Sequence, residues 1–139
     1  LFVSPFNMRK RLLSMINKEV SNATAGLPAW IFLKLNNLTD PKMVKKLYKA
    51  AEAGVKVRLM VRGMFSPVID QPKLNGNMEA TGMVDKYLEH SRIMIFCNGG
   101  EERYYLTSAD WMPRNLDKRV EVACQVYDPI VLRATFRRK

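Results

Sequence analysis

The sequence predicts an α/β fold: a mixed, mainly parallel β-sheet flanked by helices. Two kinds of periodicity and their punctuation carry that expectation. Residues 29–35 are almost all apolar, as in a central strand covered on both faces, and Val55, Val57, Leu59 and Val61 alternate with other residues at period two. Between such stretches, apolar residues recur at helical spacing. Gly, Pro, Asn and Asp stand at the junctions. No repeat, low-complexity tract or linker interrupts the 139 residues, so a single domain is expected over 1–139.

The elements follow in order. Leu1-Phe2-Val3 reads as a short strand, and Ser4-Pro5 as a helix N-cap followed by a first-turn proline. Leu13, Ile16, Val20 and Ala23 give that helix its apolar stripe, and Gly26 stops it. The strand over 29–35 ends at Asn36-Asn37. Asp40-Pro41 opens a second helix with Val44, Leu47, Tyr48 and Ala51 on one face and Gly54 at its end. The strand over 55–61 ends at Arg62-Gly63. These 63 residues read as β-α-β-α-β with consecutive parallel strands. Residues 64–76 read as a loop and 77–84 as a weak strand. Strands are expected over 92–97, 103–108 and 120–126, a turn at Asn98-Gly99-Gly100, and a terminal helix over 129–138.

Composition narrows the partner. Lys and Arg total 23 against 13 Asp and Glu, a net charge of +10, which points to a polyanion. Residues 1–70 hold 12 basic and 4 acidic side chains (+8), and residues 71–139 hold 11 and 9 (+2). Cys97 and Cys124 read as two free buried thiols of a cytosolic protein. With no CxxC pair and one histidine, a zinc site within the chain is not expected. No apolar run is long enough to span a membrane. A start at Leu1 and a stop at Arg137-Arg138-Lys139 read as the ends of a piece of a longer chain.

Ligands of open α/β sheets bind beyond the carboxyl ends of strands. Asn36, Asn37 and Arg62 fall at such ends, and Gly63 allows a close backbone approach. A guanidinium at 62 can fork two phosphate oxygens, or simply cap the sheet. His90 is the only histidine. Arg92 lies two residues on, on the same side once the strand has begun, and a phosphate held there would place the imidazole for proton transfer or attack on phosphorus. Ser108, Asp110, Asn115, Arg119 and Glu121 crowd the end of the next strand. Asp110 or Glu121 is a candidate for orienting a cation or an imidazole, and Trp111 reads as core. No P-loop, GxGxxG, GxSxG or protein-kinase signature is present.

The blocks LFVSPFNMR, LKLNNLTD, GVKVRLMVRGM, DKYLEHSRIMIF with NGG, and TSADWMPRNLDKRVEV resemble the last catalytic domain of polyphosphate kinases with a phospholipase D-like fold, from Leu1 to about Pro129. The resemblance implies reversible transfer of the terminal phosphate of ATP to polyphosphate, by two such halves facing one site. The half supplying the phosphorylated histidine would lie upstream, so this stretch alone is expected to be inactive. His90 would be an auxiliary acid/base, and Arg62 and Arg119 would contact phosphates. The superfamily pattern is His-x-Lys, four residues, then Asp. Arg92 replaces the Lys and Cys97 the Asp, which fits an auxiliary half. ATP or ADP and inorganic polyphosphate are the implied partners, with the upstream domains and a homo-oligomer of the whole enzyme. Magnesium is expected, with its ligands outside this stretch. The expected location is the cytoplasm, at the inner membrane's periphery if membrane-associated. Competing readings are a phospholipase D-type phosphodiesterase or nuclease half, which the missing Lys and Asp disfavour, and a basic nucleic-acid module, which would need exposed aromatics among its cations.

Overall fold

A computed structural model describes residues 1–82 and 92–127. Its strands are β1 (Phe2–Ser4), β2 (Trp30–Leu35), β3 (Lys56–Val61), β4 (Met78–Thr81), β5 (Arg92–Phe96), β6 (Arg103–Thr107) and β7 (Glu121–Val126). Its helices are α1 (Met8–Thr24), α2 (Pro41–Glu52) and the short α3 (Pro113–Asp117). His90 and the helix expected over 129–138 lie outside the described residues.

The strands make one sheet in the order β1-β7-β6-β5-β2-β3-β4. It is mixed and flanked by helices, as expected, but the balance of its pairings is not mainly parallel. Only β2–β3 and β3–β4 pair parallel, whereas β2–β5, β5–β6, β6–β7 and β1–β7 are antiparallel. The cause lies partly in the connections. Asn98–Gly100 is a single 3₁₀ turn between β5 and β6, too short for the crossover that parallel strands need. The consecutive β-α-β-α-β reading fails at its first strand for another reason. β1 pairs with β7 at the far edge of the sheet, Phe2 opposite Ala123 and Ser4 opposite Glu121. There Phe2 buries its ring against Tyr105, with centroids 5.1 Å apart.

Helix α1 starts at Met8 rather than at Ser4-Pro5. Ser4 stays in the strand, and its hydroxyl lies 2.5 and 2.7 Å from the carbonyl oxygens of Asn115 and Arg119, to either of which it can donate. The face of α1 that packs deepest is Met8, Leu12, Ile16 and Glu19, rotated from the expected stripe; Leu13, Val20 and Ala23 are only partly buried. Helix α2 is as expected. The Asp40 carboxylate accepts from Met43 N at 3.0 Å, Pro41 follows at the first turn, and Met43, Val44, Leu47, Ala50 and Ala51 are buried. These apolar faces form one core with Leu33, Leu35, Val57, Leu59, Phe96 and Trp111. Each such side chain contributes roughly 1.5–3 kcal/mol by leaving water.

Arg9 staples three elements on that side. Its guanidinium donates to both Asp40 oxygens at 2.8 and 2.6 Å and to both Asp117 oxygens at 2.9 and 2.8 Å. Burial pushes the Asp40 carboxyl up, but the Arg9 hydrogen bonds and the Met43 N–H outweigh it and hold it below the usual range. The cysteines differ from the expected buried pair. Cys97 is buried, but Cys124 is exposed, because Ala123 takes the inward position of β7.

Glu19 is a buried carboxyl that is only partly satisfied. It is 1% exposed. One oxygen accepts from Asn98 N at 2.7 Å, and the other finds no donor among the described residues. Burial raises its pKa, offset in part by the Asn98 N–H. A raised carboxyl pKa contributes stability that is present below the ordinary value and is lost as pH climbs through the folded value. Glu19→Gln should therefore gain stability over the parent chain as the pH rises from about 4 to about 8. Urea midpoints across that range check it, and a difference that stays constant with pH contradicts it.

Candidate functional site

The topology carries the polar residues of interest to one edge of the sheet. β1, β2, β3, β4 and β6 run one way, and β5 and β7 run the other. The carboxyl ends of the first set therefore share an edge with the starts of the second. Asn36 and Asn37 follow β2, Arg62 follows β3, and Arg92 opens β5. Ser108 and Asp110 follow β6, and Arg119 and Glu121 lie at the start of β7.

Asp110 organises the middle of this edge. Its carboxylate is 4% exposed and takes four donors. One oxygen accepts from Arg92 Nε at 2.9 Å, Asn36 N at 2.9 Å and Asn37 N at 3.1 Å, and the other accepts from Asn37 Nδ2 at 3.0 Å. Asn37 Oδ1 in turn accepts from Met64 N at 2.8 Å. One buried anion thus fixes the ends of three strands relative to one another. Charge-assisted hydrogen bonds to a buried carboxylate stabilise by about 1.5–3 kcal/mol each.

Arg92 is held by that contact at Nε and is a quarter exposed on its side chain. No other hydrogen bond of its guanidinium lies among the described residues. Arg62 is half-buried and Arg119 exposed. The backbone around Arg119 is fixed, since its N–H donates to Arg114 O at 2.9 Å and its carbonyl faces the Ser4 hydroxyl. Asn115 Nδ2 donates to Glu121 Oε2 at 3.0 Å, so both support the turn into β7 rather than reaching outward. Ser108 belongs to the ladder, its hydroxyl accepting from Val122 N at 3.0 Å.

Strand order sets the spacing of the three arginines. β3 and β5 are separated by β2, and β5 and β7 by β6. Neighbouring strands lie about 4.8 Å apart, so the three backbones stand at intervals of roughly 10 Å. They form a row along the edge, suited to an elongated anion.

A family model for the polyphosphate kinase C-terminal domain 2 matches residues 1–136. The chain belongs to the polyphosphate kinase family. Polyphosphate kinases of Escherichia coli K12 and Pseudomonas aeruginosa are 50% and 49% identical to it over 129 and 126 residues, 93% and 91% of this chain. They are much longer proteins, and the matched part is 19% and 18% of their length. The crystal structure of polyphosphate kinase from Porphyromonas gingivalis superposes with a TM-score of 0.92 at 43% identity, covering 97% of this chain and 21% of that one. NucT from Helicobacter pylori (TM-score 0.65, 16% identity, 97% of this chain and 89% of that one) shares the fold. So does Nuc, a phospholipase D family member from Salmonella typhimurium (0.61, 16%, 96% and 85%). The phospholipase D-like architecture is thus that of this polyphosphate kinase domain.

Cys97 is the residue that the sequence resemblance set in the place of a superfamily Asp. It follows β5 at the end opposite Arg92 and is 2% exposed. Burial pushes its thiol up, so it offers neither charge nor reach to the site edge. Among the described residues no three His, Cys, Asp or Glu side chains gather as a metal site. No helix among them is long and apolar enough to cross a membrane. Trp111 is fully buried, which is the core role expected of it.

Two contributors escaped sequence reasoning. Ser4 carried a helix-cap pattern that concealed its contacts with Asn115 and Arg119, more than a hundred residues away. Arg9 gave no local sign of its partners Asp40 and Asp117. Gly63 was expected to admit a ligand; the approach it makes is to Asn36 and Asn37. Its N–H donates to Asn36 O at 2.7 Å, and an added Cβ would overlap Asn37 Oδ1. Gly63→Ala should push Asn37 off Asp110 and cost about 1–3 kcal/mol. Gly82→Ala, where the new Cβ meets nothing, should leave the urea midpoint unchanged. Equal effects at the two sites would contradict this reading.

Proposed function

We propose that this chain is the phosphate-gripping half of an ATP:polyphosphate phosphotransferase. The observation that carries the reading is Arg92, tethered at Nε by a buried carboxylate at the middle of a row with Arg62 and Arg119. Family membership supplies the substrate class. Arg62, Arg92 and Arg119 engage the phosphates of the nucleotide and, once ADP has left, those of the polyphosphate end that takes its place. A histidine in the other half of the enzyme attacks the terminal phosphorus of ATP. The bond to the bridging oxygen breaks, and ADP leaves. In the second step a terminal polyphosphate oxygen attacks that phosphohistidine and the P–N bond breaks. His90 serves as the acid/base that handles the proton at the departing or arriving phosphate oxygen. Magnesium bound with ATP would neutralise phosphate charge, with protein ligands expected outside this chain.

The arginines act by electrostatics and positioning. The net charge of +10 raises the local concentration of a polyanion, so binding should weaken with salt. His90→Ala in the full-length enzyme separates the roles. Phosphoenzyme formation from ATP should persist, while polymer synthesis should fall about 10²- to 10⁴-fold. Loss of neither activity would remove His90 from the mechanism. Hydrolysis of nucleic acid or phospholipid by the parent protein, without use of ATP, would replace the kinase reading with a phosphodiesterase one.

A further inference from the structure

β3 carries a second feature that the site does not use. Val57, Leu59 and Val61 point into the core, while Lys56 and Arg58 are exposed on the opposite face and Met60 is half-buried there. Arg62 is the next residue of that outward parity. Two residues of strand advance about 6.8 Å, so Lys56, Arg58 and Arg62 span about 20 Å on one face of one strand. The row runs from the site edge, at Arg62, to the opposite edge of the sheet, at Lys56.

Among the described residues, little on this face offsets the two extra charges. Lys56 Nζ donates to Asn77 Oδ1, a neutral amide, which positions the ammonium without neutralising it. Arg58 stands opposite Glu79 on β4, but the two form no ion pair. The exposed Lys42, Lys45 and Lys49 belong to α2, which packs on the core side of β3. β4 beyond is four residues long and forms the edge of the sheet, so this face of β3 lies close to its rim.

We infer that the outward face of β3 is a track for the distal part of a polyphosphate chain, leading away from the site through Arg58 to Lys56. The inference rests on the proposed phosphotransferase reading and adds a subsite to it. A nucleotide ends its phosphates near Arg62 and does not reach the track. A long polyphosphate runs on past the reacting end, one charge per phosphate unit, and meets further cations about 14 Å and about 20 Å along the strand from Arg62. Chain length is thus the variable that separates this subsite from the site itself.

The test is Lys56→Gln with Arg58→Gln in the full-length enzyme, assayed for KM with long-chain polyphosphate, with tripolyphosphate and with nucleotide. Both side chains are exposed, so folding should be unaffected; an unchanged melting temperature verifies that. The long-chain KM should rise about tenfold or more at low salt, and its logarithmic salt slope should shrink by about two. The KM values for tripolyphosphate and nucleotide should not move. Glu79→Gln, which removes the acidic group opposite Arg58 on β4, should lower the long-chain KM. If the double variant leaves the long-chain KM unchanged, or raises long and short together, the face is only a solvated one and the track is wrong. If the parent enzyme neither makes nor consumes polyphosphate, the underlying site reading fails first.

Discussion

A buried carboxylate with four donors holds the working edge of this domain together. Asp110 lies at the meeting of β2, β5 and β6, and every group it accepts from belongs to a strand end. An ionised carboxylate out of water is costly unless its lone pairs are filled, so the four donors and the anion are mutually required. The arrangement converts a structural necessity into a functional geometry. The Arg92 guanidinium that helps to satisfy Asp110 is, by the same bond, held at the site edge. Gly63 and Asn37 extend the network to the end of β3, where Arg62 stands.

The sheet order gives that edge its length. Antiparallel pairing of β5, β6 and β7 brings the start of β5 and the β6–β7 connection to the same side as the carboxyl ends of β2 and β3. Arginines that are far apart in sequence then stand in a row at a pitch set by strand spacing. On the proposed reading, a row of guanidiniums in fixed backbone positions would need little reorganisation to take an extended phosphate chain, which is where preorganised electrostatics is most effective. On the other side of the sheet, Arg9 ties α1, the cap of α2 and α3 into one body. The loop that carries Asp110 is linked to the same body, with Trp111 O accepting from both Thr39 N and Asp40 N.

Most elements were legible in the sequence because their signals are local. Alternation at 55–61, the Asp40-Pro41 cap and the Asn98-Gly99-Gly100 turn each speak for a few residues and needed no knowledge of the rest. Pairing was not legible, because β1 finds β7 at the other end of the chain and no local pattern records that. The five-residue α3 was too short to show a helical period. The same division holds at the site. Arg62 and Asn37 could be placed because a strand visibly ends before each, and the bonding of Asp110 to Arg92 was foreseeable only as one option among several. The row formed by the arginines depends on strand order and could not be read. Ser4 was misassigned for a physical reason: its hydroxyl suits a helix cap as well as it suits two distant carbonyls.

The measurement closest to the central claim is a double-mutant cycle on Asp110 and Arg92. Asp110→Asn, Arg92→Gln and the pair would be compared by urea unfolding of the chain. If Asp110 orients Arg92 through a charge-assisted bond in a buried setting, the two changes should couple by about 1.5–3 kcal/mol. Additivity to within about 0.5 kcal/mol would mean that the carboxylate holds the strand ends without holding the guanidinium, and the account of how this edge is aimed at phosphate would fall.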